Sequence, residues 1–205
     1  MYASSDPIIL AFDTSRAACD FALLRGQNLL GHRCEEMAKG QAERLLSLCH
    51  EVMDEAGITP ADLSAIGVGI GPGNFTGIRI SASAARGLAL GLGIPAIGVS
   101  AFDALSYGSP TPCTTCVDAR RDQVYVQSFT GDGPHPPRIM PKSELSGITP
   151  PLIGADMTTP RYPAAVAIAH VARMRMTTPQ PRPAPLYLRP ADAAPARDAP
   201  PKMLS

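Results

Sequence analysis

The sequence contains no tryptophan, only 5% aromatic residues, and no net charge, because its 18 basic side chains are balanced by 18 acidic ones. A chain without net charge has little long-range attraction for nucleic acid, so we do not expect it to bind RNA alone. No apolar run approaches the length of a membrane span. With 205 residues, 45% of them hydrophobic, the chain can form one large globular domain or two small ones.

The cysteines argue against a disulfide framework, because their number is five, which is odd. Residues 1–7 are polar and show no secretory signal, so we predict a protein of the reducing cytoplasm. Cys113 and Cys116 form a CxxC pair, but no second pair stands at the spacing of a zinc site. A redox pair would begin a helix, whereas this pair leads into a predicted strand. We therefore predict a buried strand here.

The most informative segment is the glycine-rich run at 69–79, with the sequence GIGPGNFTGIR. It follows a short apolar strand and leads into a segment rich in small residues that is predicted to be a helix. Such a turn directs backbone N–H groups towards an anion or a closely packed partner. It lacks the Gly-Lys-Ser/Thr of a Walker loop and the acidic residue of the dinucleotide fingerprint. A nucleotide-facing loop and a purely structural turn are about equally compatible with the pattern.

Two other motifs accompany the glycine-rich run. An apolar strand ends in Asp13-Thr14-Ser15 and is followed by a second strand, and residues 93–100 read GIPAIGVS. In order and spacing, the three motifs resemble the TsaB (YeaZ) family, bacterial partner proteins in the synthesis of threonylcarbamoyladenosine in tRNA. The resemblance covers residues 8 to about 128, and the PLYLR sequence at 185–189 near the end.

The resemblance implies an α/β fold of the actin-like (RNase H-like) ATPase superfamily, duplicated as two βββαβα subdomains with the second one reduced. We predict an amino-terminal subdomain at 1–100, with helices at about 41–56 and 76–92, and a reduced subdomain at 101–176. The strand pair at 114–119 and 123–129 echoes the first hairpin, with Asp118 in the place of Asp13. Proline is frequent from residue 177, so 177–205 is expected to be an extended or disordered tail.

The family's function is that of a non-catalytic partner. The resemblance implies that the chain pairs with the catalytic subunit TsaD and with the ATPase TsaE, in a complex that modifies adenosine 37 of tRNAs reading codons that start with A. The chain would reach tRNA only through that complex. In the family the two amino-terminal helices form the subunit contact, and both predicted helices are unusually apolar. The candidate contact residues are Leu45, Cys49, Val52, Ile78, Ala82 and Ala85. The same helices could form a homodimer of the isolated chain.

The resemblance also suggests a weak or vestigial nucleotide site. Its candidate residues are Asp13, Thr14, Gly71 and Gly73, because an Asp at the end of the first strand positions Mg²⁺ and phosphate in actin-like ATPases. TsaD carries a metal-binding His-x-x-x-His helix, but Ala101 and Leu105 stand at the corresponding positions here and bind no metal. We therefore expect no metal site, no catalytic residue and no tightly bound cofactor in the chain alone, with ATP or ADP bound only at the level of the complex.

Two other functions remain as alternatives. A stand-alone actin-like ATP-dependent phosphotransferase would bind ATP and Mg²⁺ through Asp13, Thr14 and the turn at 71–73. A peptidase would need an activated nucleophile, and Ser15, Ser81 and Ser100 have no histidine near them in the sequence. The four histidines show no pairing with a carboxylate or a cysteine at a spacing that suggests a triad or a metal site, so we predict structural or solvated roles for His32, His50, His135 and His170.

Overall fold

The computed structural model describes residues 6–154 and 157–189 and contains two β-sheets with helices packed around them. The first sheet has the order β3-β2-β1-β4-β5 and consists of β1 (Ile8–Asp13), β2 (Ala18–Arg25), β3 (Asn28–Glu36), β4 (Ala65–Gly69) and β5 (Ala96–Val99). β1, β2 and β3 are antiparallel neighbours, whereas β4 and β5 join in parallel. Parallel neighbours need crossover connections, which here contain α1 (Gln41–Glu55) and α2 (Phe75–Leu92).

The first sheet is covered on both faces. Leu10 and Phe12 of β1 pack in a core cluster with α1 and α2, whereas Ile9 and Ala11 pack against α4 (Ala164–Arg175) on the other face. This division follows from the alternation of side chains along a strand. The alanines of α4 allow a close approach to the sheet, and a Cβ added at Gly67 would lie only 2.9 Å from the Cβ of Ala172.

The second sheet repeats the central pairing of the first. It consists of β6 (Cys113–Asp118), β7 (Gln123–Thr130), β8 (Gly133–Pro134), β9 (Arg138–Pro141) and β10 (Leu152–Gly154). β6 is antiparallel to β7 and parallel to β10, just as β1 is antiparallel to β2 and parallel to β4. A short 3-10 helix at Lys142–Gly147 stands where the first unit has α1. The second unit is therefore reduced, as predicted.

Most predicted elements are confirmed with small shifts at their ends. The predicted helices at 41–56 and 76–92 are Gln41–Glu55 and Phe75–Leu92. The prediction missed α3 (Ala101–Ser106), a six-residue helix whose first turn is capped by Ser100 Oγ, which accepts a hydrogen bond of 3.0 Å from the Asp103 N–H. It also missed the short strand β9.

The CxxC pair lies in a strand, as predicted. Cys113 and Cys116 are both buried free thiols within β6. Burial raises the pKa of Cys116 to about 11, which keeps the thiol protonated and unreactive at neutral pH.

The segment after α4 returns to the first sheet. Residues 177–189 contain no helix or strand, and the remainder of the predicted tail, 190–205, lies outside the described residues, as do 1–5. Although α4 falls in the second predicted subdomain by sequence, it packs against β1, β2 and β4 of the first sheet. None of the helices within 6–154 and 157–189 is both long and apolar enough to cross a bilayer.

Candidate functional site

A cleft of about 1320 Å³ lies where β1 and β4 of the first sheet and β6 and β10 of the second reach their carboxyl ends. In open α/β sheets this is the edge at which ligands bind. Asp13 and the glycine loop, by which we mean residues 70–74, contribute to the lining from the first sheet, and Asp118 and Arg120 contribute from the second. Residues 186–189 complete the lining, so the carboxyl-terminal segment forms part of the cleft wall.

Asp13 lies at the bottom of this cleft and is only 7% exposed. Its Oδ1 accepts a hydrogen bond of 2.9 Å from the Ser15 N–H, and its Oδ2 accepts one of 2.8 Å from the Ser15 hydroxyl. Burial raises the pKa of Asp13, and the two hydrogen bonds from Ser15 oppose that rise. β4 runs so close that a Cβ at Gly69 would overlap the carboxylate, which explains the glycine there.

Thr14 does not face the cleft, contrary to the prediction. Its side chain is fully buried, and its hydroxyl donates a hydrogen bond of 2.6 Å to the carbonyl oxygen of Gly77 in the first turn of α2. A Cβ at Gly77 would overlap the Thr14 carbonyl oxygen, so the contact requires glycine. Thr14 therefore connects the β1–β2 turn to α2. Because its hydroxyl is used in this contact and its side chain is buried, Thr14 is not part of the candidate nucleotide site.

The glycine loop holds three parts of the fold together. The Asn74 N–H donates 2.7 Å to the Ser15 carbonyl oxygen, and Asn74 Oδ1 caps α2 by accepting 2.9 Å from the Gly77 N–H. Gly71, whose φ is 85°, presents its carbonyl oxygen to the Ala101 N–H at 2.8 Å. Of the two interpretations that the sequence left open, these contacts favour the structural turn.

The residues present fit a phosphate-binding loop poorly. Asp13, Gly71 and Gly73 line the cleft, but the Ser15 N–H and hydroxyl are both bonded to Asp13. The Thr14 hydroxyl and the Asn74 N–H are likewise used within the chain. A phosphate needs several donors that point at it together, and these four donors are already satisfied by protein acceptors.

The second hairpin offers no better ligand set. Asp118, the counterpart of Asp13, lies 2.8 Å from the Lys142 ammonium, and this partner lowers the pKa of Asp118. In the part of the chain that the structure describes, no three His, Cys, Asp or Glu side chains are grouped as a metal site would require.

One histidine, His32, is paired with a carboxylate, a contact that its spacing in the sequence did not reveal. His32 Nε2 lies 2.9 Å from Oδ1 of Asp20, a side chain that is 2% exposed. Asp20 Oδ2 also accepts 3.2 Å from the Ala165 N–H, at the start of α4, and 3.4 Å from Arg16. The β2–β3 register pairs Ala22 with His32, so Asp20 is the diagonal neighbour of His32. The register shifts between Leu23 and Leu24, so counting outward from the turn at 26–27 would pair His32 with Phe21 and miss this contact, which ties α4 to β2 and β3.

Comparison with known proteins identifies the family. Residues 31–133 match the family model described as TsaD, tRNA N6-adenosine threonylcarbamoyltransferase. The chain belongs to this family. The TsaB proteins of Escherichia coli K12 and Bacillus subtilis 168 are similar to it, at 34% identity over 129 residues and 35% over 121. These matches cover 60% and 58% of this chain and 55% and 53% of the relatives, so the chain spans about half the length of the curated relatives it matches.

A solved structure agrees with the sequence relatives. YeaZ from Pseudomonas aeruginosa superimposes with a TM-score of 0.69 at 25% identity, over 89% of this chain and all of that one. The recognition of the chain as a TsaB (YeaZ) relative with the actin-like ATPase fold is thus confirmed. Ala101 and Leu105, which stand where the resemblance implies metal-binding histidines in TsaD, both line the cleft.

The six predicted contact residues need correction. All six are buried, with exposures of 3% or less: Leu45, Cys49, Val52, Ile78, Ala82 and Ala85. The reason is that the helix faces that carry them pack on the first sheet. Other residues of the same helices are exposed instead, Leu46 at 50% and Leu90 at 84%. Sequence periodicity marked both helices as apolar, but it could not tell the face on the sheet from the face on the solvent.

Proposed function

We propose that this TsaB-family chain is a non-catalytic subunit in the biosynthesis of threonylcarbamoyladenosine at position 37 of tRNAs that read codons starting with A. It would pair with a TsaD-type catalytic subunit, act together with a TsaE-type ATPase, and work in the cytoplasm, where tRNA is modified. The observation that carries the proposal is the composition of the cleft. Ala101 and Leu105 give it an apolar wall at the positions where TsaD has its metal-binding histidines, and the donors of the β1–β2 turn are used internally.

The exposed side of α1 and α2 supports a role as a binding partner. Leu90 is 84% exposed and Leu46 is 50% exposed, which is unusual for large apolar side chains. Near Leu90, a Cβ at Gly87 or Gly91 would meet no atom of residues 6–154 or 157–189 within 4 Å, so the described structure leaves the helix surface uncovered there. Small residues beside a large apolar one allow another helix to pack closely. We propose this surface as the TsaD contact, in place of the buried residues first predicted.

Reconstitution tests the proposed function. Purified TsaD-type and TsaE-type subunits from the same organism are assayed for modification of tRNA, with ATP and the other substrates, in the presence and absence of this chain. We expect modification only when the chain is present, and none from the chain alone. Unchanged activity without the chain, or modification by the chain alone, would contradict the proposal.

A matched pair of substitutions tests the contact surface. Leu90→Arg places a charge in the centre of the proposed contact and should abolish capture of the TsaD-type subunit. Met174→Arg is the control, because Met174 is 53% exposed and lies on α4, on the opposite face of the first sheet. Both variants should keep the circular dichroism spectrum of the unmodified chain. Equal capture by both variants would place the contact elsewhere.

The size of the cleft is the one observation that favours the alternative, a stand-alone phosphotransferase. A volume of about 1320 Å³ is ample for a nucleotide, and Asp13 lies within it. Calorimetry with ATP and Mg²⁺ on the isolated chain separates the two functions. Micromolar binding followed by turnover would favour the enzyme, whereas no detectable heat would favour the partner subunit.

A further inference from the structure

The carboxyl-terminal segment at 183–189, which we call the strap, makes specific contacts through four of its residues, Pro183, Leu186, Tyr187 and Arg189. Pro183 is buried, and its Cα would lie 3.5 Å from a Cβ at Gly98 on the edge strand β5. Three residues later, the Leu186 N–H donates a hydrogen bond of 2.8 Å to the carbonyl oxygen of Ile70, the residue that follows β4. The strap is thus held at the beginning of the glycine loop.

The next residue, Tyr187, is fixed to the first turn of α2. Its ring stacks on that of Phe75, with centroids 4.7 Å apart, and its hydroxyl accepts a hydrogen bond of 2.7 Å from Arg79 Nε. The Arg79 guanidinium also lies 3.8 Å from the centre of the Phe75 ring. A ring stack and a hydrogen bond therefore converge on Tyr187, and the Arg79 guanidinium that makes the hydrogen bond lies over the Phe75 ring and 5.7 Å from the centre of the Tyr187 ring.

The strap then crosses to the second sheet. The Arg189 guanidinium donates a hydrogen bond to the side chain of Gln123, the first residue of β7. Between these anchors, residues 186–189 line the cleft. The strap therefore spans the cleft from the glycine loop of the first sheet to the hairpin turn of the second.

Another connection between the two sheets runs through α3. This helix packs against α4, which lies on the first sheet, and against β6 of the second sheet. Its first residue, Ala101, donates its N–H to the Gly71 carbonyl oxygen at 2.8 Å. The glycine loop thus holds the strap through Ile70 and holds α3 through Gly71.

We infer that the strap is an intramolecular clasp that fixes the opening of the cleft, with Tyr187 as its principal anchor and Arg189 as its link to the second sheet. When the Tyr187 anchor is released, the glycine loop loses the contact on its Ile70 side, and its contact with α3 on the Gly71 side weakens as a consequence. The clasp thereby couples the carboxyl-terminal segment to the connection between the two sheets.

Hydrogen exchange at two amides tests the clasp in the full chain. The Leu186 amide reports the strap itself, and the Ala101 amide reports the connection to α3. In Tyr187→Ala we expect exchange at both amides to rise about tenfold, since an aromatic stack and a hydrogen bond are lost together. The Leu10 amide in β1 should keep its protection in this variant, which shows that the core stays folded. Met174→Ala, an exposed apolar side chain away from the strap, is the matched control and should change neither reporter.

The exchange rates at these two amides distinguish a clasp from a terminal segment that has no influence on α3. A rise at Leu186 alone would overturn the inference, because the strap would then have no influence on α3, and so would no change at either amide. Tyr187→Phe keeps the ring stack and removes only the hydroxyl, so a smaller rise at both amides is expected. If Tyr187→Ala fails to fold, Arg189→Ala takes its place, with faster exchange at Ala101 as the expected result and unchanged exchange as the contradicting one.

Discussion

The two sheets share a pairing pattern but differ in how they are covered. β1 and β6 each lie between an antiparallel and a parallel neighbour, and each ends in an aspartate at the cleft. The first sheet has helices on both faces, and every residue of β1 is buried. The core of the second sheet centres on four buried side chains, and most of β7 is only half-buried. The same strand pairing therefore does not give hydrophobic cores of the same size, because the size of a core depends on the layers that cover the strands.

The difference between the carboxylates at the two strand ends follows from this. Asp13 is buried under the glycine loop and is bonded to its own turn, whereas Asp118 is half exposed and paired with Lys142 at the surface. At these strand ends, the first sheet contributes a buried and internally bonded carboxylate to the cleft, and the second contributes an exposed one. Substitutions can test whether this inequality is real, beginning with the one expected to have the largest effect.

Gly77→Ala should damage the first region most. The added Cβ would overlap the Thr14 carbonyl oxygen, so α2 must move away from the β1–β2 turn and lose the Thr14 and Asn74 hydrogen bonds. We expect a loss of about 3 kcal/mol or more in the free energy of unfolding, measured by chemical denaturation. Gly91→Ala is the control on the same helix, because its Cβ would meet none of the described residues within 4 Å. Similar stabilities for the two variants would show that α2 can shift without cost.

A pair of identical substitutions compares the two cores directly. Val68 in β4 is fully buried in the large core cluster, and Val126 in β7 is 2% exposed in the small one. We expect Val68→Ala to cost about 2 kcal/mol and Val126→Ala about 1 kcal/mol, because a small core near the surface relaxes more easily around a cavity. Chemical denaturation of both variants measures the difference. Equal losses would mean that the second core is as tightly packed as the first.

The sequence predicted the helices and strands better than the contacts that their side chains make. The hairpins, α1 and α2 follow from local periodicity, caps and glycines, and they appear within a few residues of their predicted ends. Three features depend on contacts between distant segments and escaped prediction: the burial of the six candidate residues, the Thr14–Gly77 bond and the His32–Asp20 pair. Local pattern reveals an apolar face, but only the assembled layers decide what that face contacts.

His170 lies at the junction between the two regions, and its effect should depend on pH. Its ring stacks on Tyr107 of the segment after α3, at 5.1 Å, and lies 5.6 Å from Tyr162, while its Nδ1 has no hydrogen-bond partner among the described residues. Burial, and then the neighbouring Arg173, lower the pKa of His170. The unfolded chain therefore binds the proton more readily than the folded one. The stability that the neutral ring contributes is complete above the ordinary pKa of about 6.5 and is lost as the pH falls below it.

His170→Phe keeps an aromatic ring in the stack and removes the titration. We expect the variant to lose less stability than the unmodified chain when the pH is lowered from above to below about 6.5, as measured by denaturation at both values. His50→Phe, at an exposed position of α1, is the control and should leave the pH dependence unchanged. The same pH dependence with and without His170 would show that protonation at this junction does not strain the fold.

Gly87→Ala should have the smallest effect, and it should stabilise the isolated chain while weakening the proposed complex. Gly87 lies on the exposed side of α2, in ordinary helical backbone, and a Cβ there would meet nothing within 4 Å in the part of the chain that the structure describes. Alanine is the better helix former, so Gly87→Ala should stabilise the isolated chain by about 0.5–1 kcal/mol. If the same open surface receives a helix of the partner, the added methyl group must weaken capture of the TsaD-type subunit. Calorimetric unfolding and titration with that subunit measure the two effects separately. A variant that is more stable and binds equally well would show that the partner does not pack closely on this part of α2, and would leave the contact to Leu46 and α1.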